Sequence, residues 1–494
     1  MLRAWGIEQY QDWHFRLYHP AMPDLRIELD RGRAMPLATQ IYGAIRDAIE
    51  SGRLASGAKL PSWQDLASQL GVSRGTVRSA YERLMDEQFA IGMGAAGTRV
   101  AERPASSSTP DRSAEGTPVP ELFHDFGTMP LTFQMGVPSQ AAFPFKLWSR
   151  MLTRASRAAA AAPVSYPDPR GEPELRKEIA GYLAIARGLH CKPSQILITS
   201  GFSGALGVVL RTLQLEGKEA WMEDPGFPLT RTALRFAGMS VTGVPVDAEG
   251  LDVNAGIQRA PGAALAITTP GQHAPLGMTM SLARRLALLE WAGRNDAWII
   301  EDDYLSELQL QGRAAPALAS LDHQGRVLHI GSFSKTISPA LRLGFVVFPS
   351  PLASKFADVA ASLAPAPSAT VQRAVTAFLR EGHYLRHLRR MKRLYHAQRE
   401  SLLRCLRDVA SDTVTVQASA GLAIVTSLPR AVSDVDVALR ALLFGLAPTP
   451  LSPWSIQSPP LRGLLLGVTN LDERRLAADC RRLVELAEQA DPGR

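Results

Sequence analysis

The sequence predicts an α/β protein in two parts: a small helix-turn-helix unit with a wing, followed by a large, mostly parallel sheet covered by helices. Three observations predict it. At 494 residues the chain exceeds what one hydrophobic core serves, which calls for two or more domains. Residues 103–122, starting Arg103-Pro-Ala-Ser-Ser-Ser-Thr-Pro-Asp-Arg-Ser113, are rich in Pro, Ser and Thr and poor in apolar matter, the composition of a linker. From residue 123 to about 488, short apolar runs alternate with helical patterns, as in βαβ units.

Residues 1–30 are aromatic and irregular, with Trp5, Tyr10, Trp13, Phe15 and Tyr18, and read as an N-terminal arm. The first compact unit spans 31–102. Leu37, Ile41, Ile45 and Ile49 recur every four residues and predict an amphipathic helix ending near Gly52. Ser62 caps a second, short helix whose apolar face is Leu66, Ala67 and Leu70. Gly71-Val72-Ser73 then turns into a third, Arg74 to Gln88, with Val77, Tyr81 and Leu84 inward. Two short helices joined at a glycine, the second with a basic, exposed start, form the helix-turn-helix pattern. Phe89-Ala-Ile91, the glycine-rich tip Gly92 to Gly97, and Thr98-Arg99-Val100 predict a two-stranded wing.

Behind the linker the strand candidates are Ile196–Thr199, Ala220–Met222, Ala264–Thr268, Ala297–Ile300, Val327–Ile330 and Gly344–Phe348. Hydrophobic content of 46% and charged content of 20% are globular values. A net charge of +7 permits a nucleic-acid partner without demonstrating one. The three cysteines, Cys191, Cys405 and Cys480, make neither a disulfide framework nor a metal motif, and no run is apolar enough for a membrane span. The expectation is a cytoplasmic protein without a metal.

The chemistry-bearing residues fall at the ends of the strands, where open α/β sheets bind ligands. Lys335 stands among small hydroxyl residues just past an apolar strand, in Gly331-Ser-Phe-Ser-Lys335. A lysine kept partly neutral forms a Schiff base with an aldehyde. Ser332, Ser334 and Arg342 are suited to a phosphate beside it, the arginine by a bidentate fork. Schiff-base lysine and phosphate clamp together point to pyridoxal 5′-phosphate (PLP); the bland reading is a surface lysine in a serine-rich loop. Gly201, Phe202 and Ser203 open a helix after a strand, so their N–H groups suit the same phosphate. Phe227, on a turn after a strand, suits stacking on a flat heterocycle, and a core phenylalanine is the equal alternative. Three acids end the strand Trp298 to Ile300, and buried acids need partners. Strand alternation places Asp302 and Tyr304 on one side, assigning Asp302 to a pyridine nitrogen and Tyr304 to the ring oxygen, with Asp303 the alternative acid.

The run Gly57-Ala-Lys-Leu-Pro-Ser62, then Leu66-Ala67, Leu70-Gly-Val-Ser-Arg-Gly-Thr-Val77, Ala80-Tyr81 and Gly97-Thr98, resembles the winged helix-turn-helix of the GntR family. That resemblance implies contacts to double-stranded DNA from Ser62, Gln64, Ser73, Arg74, Thr76 and Arg78, with Gly94, Thr98 and Arg99 of the wing in the minor groove. Gln64 stands where the family usually has arginine, a charge less on the phosphates. The motifs Tyr166-Pro-Asp-Pro-Arg-Gly171, Ile198-Thr-Ser-Gly201, Asp224-Pro-Gly-Phe-Pro228, Thr269-Pro270, Glu301-Asp-Asp-Tyr304 and Ser332-Phe-Ser-Lys335 resemble fold-type I PLP-dependent aminotransferases. Winged helix and aminotransferase-like domain in one chain resemble the MocR subfamily of GntR regulators, over about residues 30–480. The resemblance implies PLP on Lys335 and a large sheet with a small C-terminal α/β subdomain. It also implies a head-to-tail homodimer in which Tyr166 reaches the partner subunit's phosphate. The basic stretch Arg386 to Arg393 reads as a solvated helix face or a further DNA or domain contact.

Departures from the pattern bear on catalysis. Ala274 stands where many aminotransferases carry asparagine, and Gly463-Leu-Leu-Leu-Gly467 occupies the strand of their carboxylate-binding arginine, with Arg462 off register. Without that anchor, positioning for transamination suffers. The expectation is a transcriptional regulator with PLP, or a PLP–amino acid adduct, as effector. The alternatives are a working aminotransferase with an appended DNA-binding domain, and a DNA-binding protein whose cofactor site has decayed.

Overall fold

The computed structural model describes residues 27–32, 35–101, 129–310, 312, 314–409, 411–418, 421–457 and 459–491. The linker at 103–122 and the arm up to residue 26 lie outside them. The chain divides into two compact units, Met1–Thr117 and Pro118–Arg494.

In the first unit, α1 (Leu37–Glu50), α2 (Trp63–Leu70) and α3 (Arg74–Asp86) precede β1 (Ala90–Gly92) and β2 (Thr98–Val100). Ile41, Ile45, Leu66, Val77, Tyr81 and Leu84 fill the core at the spacing the sequence gives them. Each such burial stabilises by roughly 1.5–3 kcal/mol. Ser62 caps α2 by accepting from Asp65 N at 3.2 Å, and Ser73 caps α3 by accepting from Thr76 N at 3.1 Å. Between the helices the chain reverses at Gly71, in the left-handed region at φ 61°. β1 and β2 pair antiparallel as the expected wing. The stretch read as a turn, Gly57 to Leu60, lies along β2: Val100 N donates to Ala58 O and Leu60 N to Thr98 O, both at 2.9 Å.

The second unit begins with α4 (Phe145–Ala160), α5 (Pro173–Arg187), β3 (Ile196–Thr199), α6 (Gly201–Leu213), β4 (Glu219–Asp224), α7 (Pro228–Phe236), β5 (Ser240–Asp247) and β6 (Gly250–Leu251). There follow α8 (Val253–Arg259), β7 (Leu265–Thr268), α9 (Leu282–Arg294), β8 (Trp298–Asp303), β9 (Val327–Ser332) and β10 (Gly344–Val347). Its eight-stranded sheet runs β3-β10-β9-β8-β7-β4-β5-β6. From β9 to β5 all neighbours are parallel, whereas β10 lies antiparallel between β9 and β3, and β6 antiparallel to β5. β3, β7 and β10 are buried at every residue, as strands covered on both faces must be. The order reverses between β4 and β7, which opens a crevice at the carboxyl ends there. β5 escaped the sequence reading because Gly243 and Pro245 interrupt its apolar pattern.

The chain continues with α10 (Ala353–Leu363), α11 (Ala369–Arg380), α12 (His383–Asp408), β11 (Thr415–Ala418), β12 (Ala423–Ser427), α13 (Asp434–Leu442), β13 (Thr449–Pro450), β14 (Gly463–Gly467) and α14 (Leu476–Gln489). A four-stranded antiparallel sheet, β11-β12-β14-β13, forms the small C-terminal part. On α12, His387, Leu388, Met391 and Tyr395 face inward while Arg386, Arg389, Arg390 and Arg393 are exposed. The segment 131–137 is held to this small part: Gly467 N donates to Phe133 O at 2.8 Å, and Thr469 Oγ1 to Val137 O at 2.6 Å. Among the described residues no helix is long and apolar enough to cross a membrane, and no cluster of three or more His, Cys, Asp or Glu is placed to hold a metal ion.

Candidate functional site

Lys335 follows β9 by three residues, half-buried, and its Nζ donates to Gly136 O at 2.7 Å. Gly136 sits at φ +79°, and a Cβ there would stand 2.6 Å from Nζ, so this approach requires glycine. Burial pushes the Lys335 ammonium down to about 8, although Asp302 pulls the other way. An amine partly neutral near pH 8 is a nucleophile.

β8 delivers the acids, and alternation sorts them. Glu301 and Asp303 point to one side, where Glu301 is satisfied and Asp303 is paired through Oδ2 while its Oδ1 is buried without a partner. Glu301 bonds His329 Nδ1 at 3.0 Å and accepts from Leu318 N at 2.7 Å and Ala319 N at 3.0 Å. Asp303 accepts from Arg187 Nε at 2.7 Å, both side chains being buried. Burial alone would raise the Glu301 carboxyl, but His329 and its hydrogen bonds bring it to about 2. Asp302 and Tyr304 take the opposite side and are half-buried. The Asp302 carboxyl enters none of the described hydrogen bonds or ion pairs. Desolvation first, then the charges of Asp303 and Glu223, raise it well above the usual carboxylate range, with Lys335 opposing. The Tyr304 phenol is raised for the same reasons, burial leading and Asp302 adding to it. An acid without a partner, beside an amine and a phenol, is ready for a cationic ring nitrogen.

A second corner gathers polar donors. The pairing of Gly344 with Thr199 brings the turn after β9 beside the start of α6. There Arg342 Nη2 donates to Ser200 O at 3.1 Å, and the guanidinium lies 3.7–3.8 Å from where a Cβ on Gly201 would be. Ser332 Oγ donates to Ser334 Oγ at 3.0 Å and accepts from Ser334 N at 3.2 Å. Gly201 is buried, Phe202 half-buried against the core, and Ser203 exposed. Helix N-terminus and guanidinium together suit an anion. Phe227 caps α7 half-buried, its ring 5.5 Å from that of Trp454. Tyr166 is fully exposed, and the single chain does not bring it to the others.

In the winged unit Ser62, Gln64, Ser73, Arg74 and Arg78 are exposed along the starts of α2 and α3, and Gly94 and Arg99 on the wing. Thr76 is half-buried, and its Oγ1 pairs with Ser73 Oγ at 2.8 Å, so both serve the cap. Thr98 is 8% exposed: it turns into the core and supports the wing from within instead of lying on its surface. Arg99 Nη1 donates to Gly57 O at 2.9 Å. Arg78 bonds Glu82 at 2.7 Å and lies 5.5 Å over the Trp63 ring.

Sequence reasoning missed Gly136, the partners Arg187 and His329, and the role of Trp63. Gly136 meets Lys335 across 199 residues, and nothing local marks it. The acids of β8 signalled that partners must exist but not which.

Comparison with known proteins bears on both units. The family of bacterial regulatory proteins named gntR matches residues 37–100, and the family of class I and II aminotransferases matches residues 145–446. The chain is 35% identical over 461 residues to the "Probable rhizopine catabolism regulatory protein MocR" of Rhizobium meliloti, covering 91% of this chain and 93% of that one. It is 32% identical to the HTH-type transcriptional regulator TauR of Rhodobacter capsulatus, over 87% and 92% of the two chains. Among solved structures, an archaeal alanine:glyoxylate aminotransferase superposes with a TM-score of 0.67 at 26% identity, over 74% of this chain and 92% of the other. LysN, the alpha-aminoadipate aminotransferase of Thermus thermophilus, gives 0.66 at 26%, over 73% and 92%.

Proposed function

The chain belongs to the GntR family of bacterial transcriptional regulators, in the MocR type that carries an aminotransferase class I and II domain, and from that premise we propose a PLP-responsive DNA-binding regulator. Residues 31–102 read double-stranded DNA, and residues 123–488 hold PLP as effector. Lys335 is the covalent attachment point. Asp302 takes the pyridine nitrogen, Tyr304 the ring oxygen, and Phe227 a ring face. Arg342, Ser332, Ser334 and the backbone of Gly201 to Ser203 take the phosphate. PLP, when bound, supplies an aldehyde that condenses with amines. The chain's own residues orient it, and burial keeps the Lys335 amine partly neutral for capture.

The observation that carries the reading is the Lys335 amine, lowered to about 8 and held 2.7 Å from Gly136 O, facing an Asp302 carboxyl with no described partner. A decayed site would leave no reason for this arrangement. A head-to-tail dimer belongs to the same proposal: the fully exposed Tyr166 is free to complete a second copy's phosphate corner, and two copies present two winged helices to two half-sites.

The test is a titration of the DNA upstream of its own reading frame with purified protein, with and without PLP, at fixed salt. A shift in affinity or footprint with PLP, lost in Lys335→Ala, is expected. Binding indifferent to PLP in both proteins would remove PLP from the switch.

A further inference from the structure

A cavity of about 360 Å³ lies between the end of α5, the segment after β8, and α12, lined by Arg187, Glu307, Leu385, Leu388, Arg389 and Lys392 among others. That is the size of a small-molecule cleft. None of Lys335, Asp302, Tyr304, Phe227 or Arg342 lines it. Arg187 holds Asp303, which points to the opposite side of β8 from Asp302.

The polar groups of this cavity are left unmatched. Glu307 Oε2 is enclosed and has no hydrogen-bond partner. Burial first, then the charge of Asp303, raise the Glu307 carboxyl above the usual carboxylate range. Arg187, 2% exposed, gives Nε to Asp303 and Nη1 to Ala315 O, which leaves Nη2 buried without an acceptor. Lys392 is half-buried and Arg389 exposed, and neither enters a described hydrogen bond or ion pair. Desolvation lowers the Lys392 ammonium while Glu307 opposes it, so the two charges sense each other without pairing. Enclosed polar atoms call for partners. A simple anion would meet Lys392 and Arg389 and be repelled by Glu307. A simple amine would meet Glu307 and be repelled by the two cations. A molecule carrying both charges answers all of them.

We propose that this cavity is a second small-molecule site, which takes a zwitterion with one ammonium and one carboxylate. The ammonium meets Glu307, the carboxylate meets Lys392 and Arg389, and the carbon body lies against Leu385 and Leu388. The site stands whether or not Lys335 holds PLP.

The test titrates the full chain by calorimetry with two tertiary-amine zwitterions of different span, N,N-dimethylglycine and 3-(dimethylamino)propanoate. A tertiary amine cannot condense with an aldehyde, so PLP captures neither. Their carbon isosteres, 3-methylbutanoate and 4-methylpentanoate, keep the shape and the carboxylate and lose the ammonium. At least one zwitterion is expected to bind about tenfold or more tightly than its isostere. Glu307→Gln, which keeps the volume and removes the charge, is expected to erase that preference. Lys392→Met is expected to weaken zwitterion and isostere alike, and on a half-buried position it keeps the test decisive should Glu307→Gln fail to fold. An isostere that binds as tightly as its zwitterion makes the cavity an anion site and overturns the inference. A preference that survives Glu307→Gln, or that disappears in Lys335→Ala, puts the ligand elsewhere and overturns it too. No binding of either zwitterion leaves the cavity to water and sinks the proposal, with the PLP reading untouched.

Discussion

At the scale of single residues, protonation decides what the site can do. Lys335 has its ammonium lowered by burial from 10.5 to about 8, so its neutral fraction grows as pH rises through 8. Covalent capture of PLP should therefore accelerate from pH 6 to about 8 and then level off, read by stopped-flow absorbance; a midpoint near 10 would show the amine to be solvated. The sign for stability is the same. Between about 8 and 10.5 the unfolded chain binds the extra proton, so this lysine makes folding more favourable as pH rises. Behind Asp302, Glu301 and His329 form a buried pair at 3.0 Å. Glu301 is lowered to about 2, so its contribution is present above the ordinary glutamate range and fades only as pH falls toward 2. His329, which burial alone would lower, is raised by Glu301; its contribution is full below its ordinary pKa and is lost as pH rises through the raised one. His329→Gln should cost about 3–5 kcal/mol in chemical denaturation, because it removes the charge partner of a buried carboxylate and leaves it only two backbone N–H donors. A loss under 1 kcal/mol would mean that Arg187 and the two N–H donors satisfy Glu301 alone.

At the scale of elements, caps and charges on α2 and α3 shape the proposed DNA surface. Ser73 accepts from Thr76 N and shares its hydroxyl with Thr76, fixing the first turn of α3 where Arg74 stands. Ser73→Ala should destabilise the winged unit by about 1 kcal/mol, seen in its urea midpoint. Gln64, exposed on α2, lacks the charge that would add a phosphate contact. Gln64→Arg should steepen the dependence of log affinity on log salt by about 0.9, and an unchanged slope would place α2 off the backbone. Thr98 carries a lesson about motifs: the resemblance put it on the DNA side, yet β2 turns its side chain inward.

For the whole molecule, two compact units in one chain predict two unfolding transitions. PLP should raise the midpoint of the unit from Pro118 to Arg494 and leave the winged unit's midpoint unmoved, read by scanning calorimetry with and without PLP. Equal shifts in both would mean that the units unfold as one.

The sequence by itself determined the two-part division, the three helices and wing, and six of the eight strands of the large sheet, and it nominated the lysine, acid and phosphate candidates. These are legible because periodicity, caps, glycine turns and strand alternation act over a few residues. Alternation alone separated Asp302 from Asp303, and Arg187 later claimed the latter. Only the tertiary structure decided that β10 runs antiparallel, that Gly136 meets Lys335, that Glu301 and Asp303 find His329 and Arg187, and that Phe227 packs with Trp454 and Leu465. The physical reason is distance along the chain. Contacts across 199 residues are set by how the sheet orders its strands and where the crossing segment lands, and no local pattern records the neighbour on the other side.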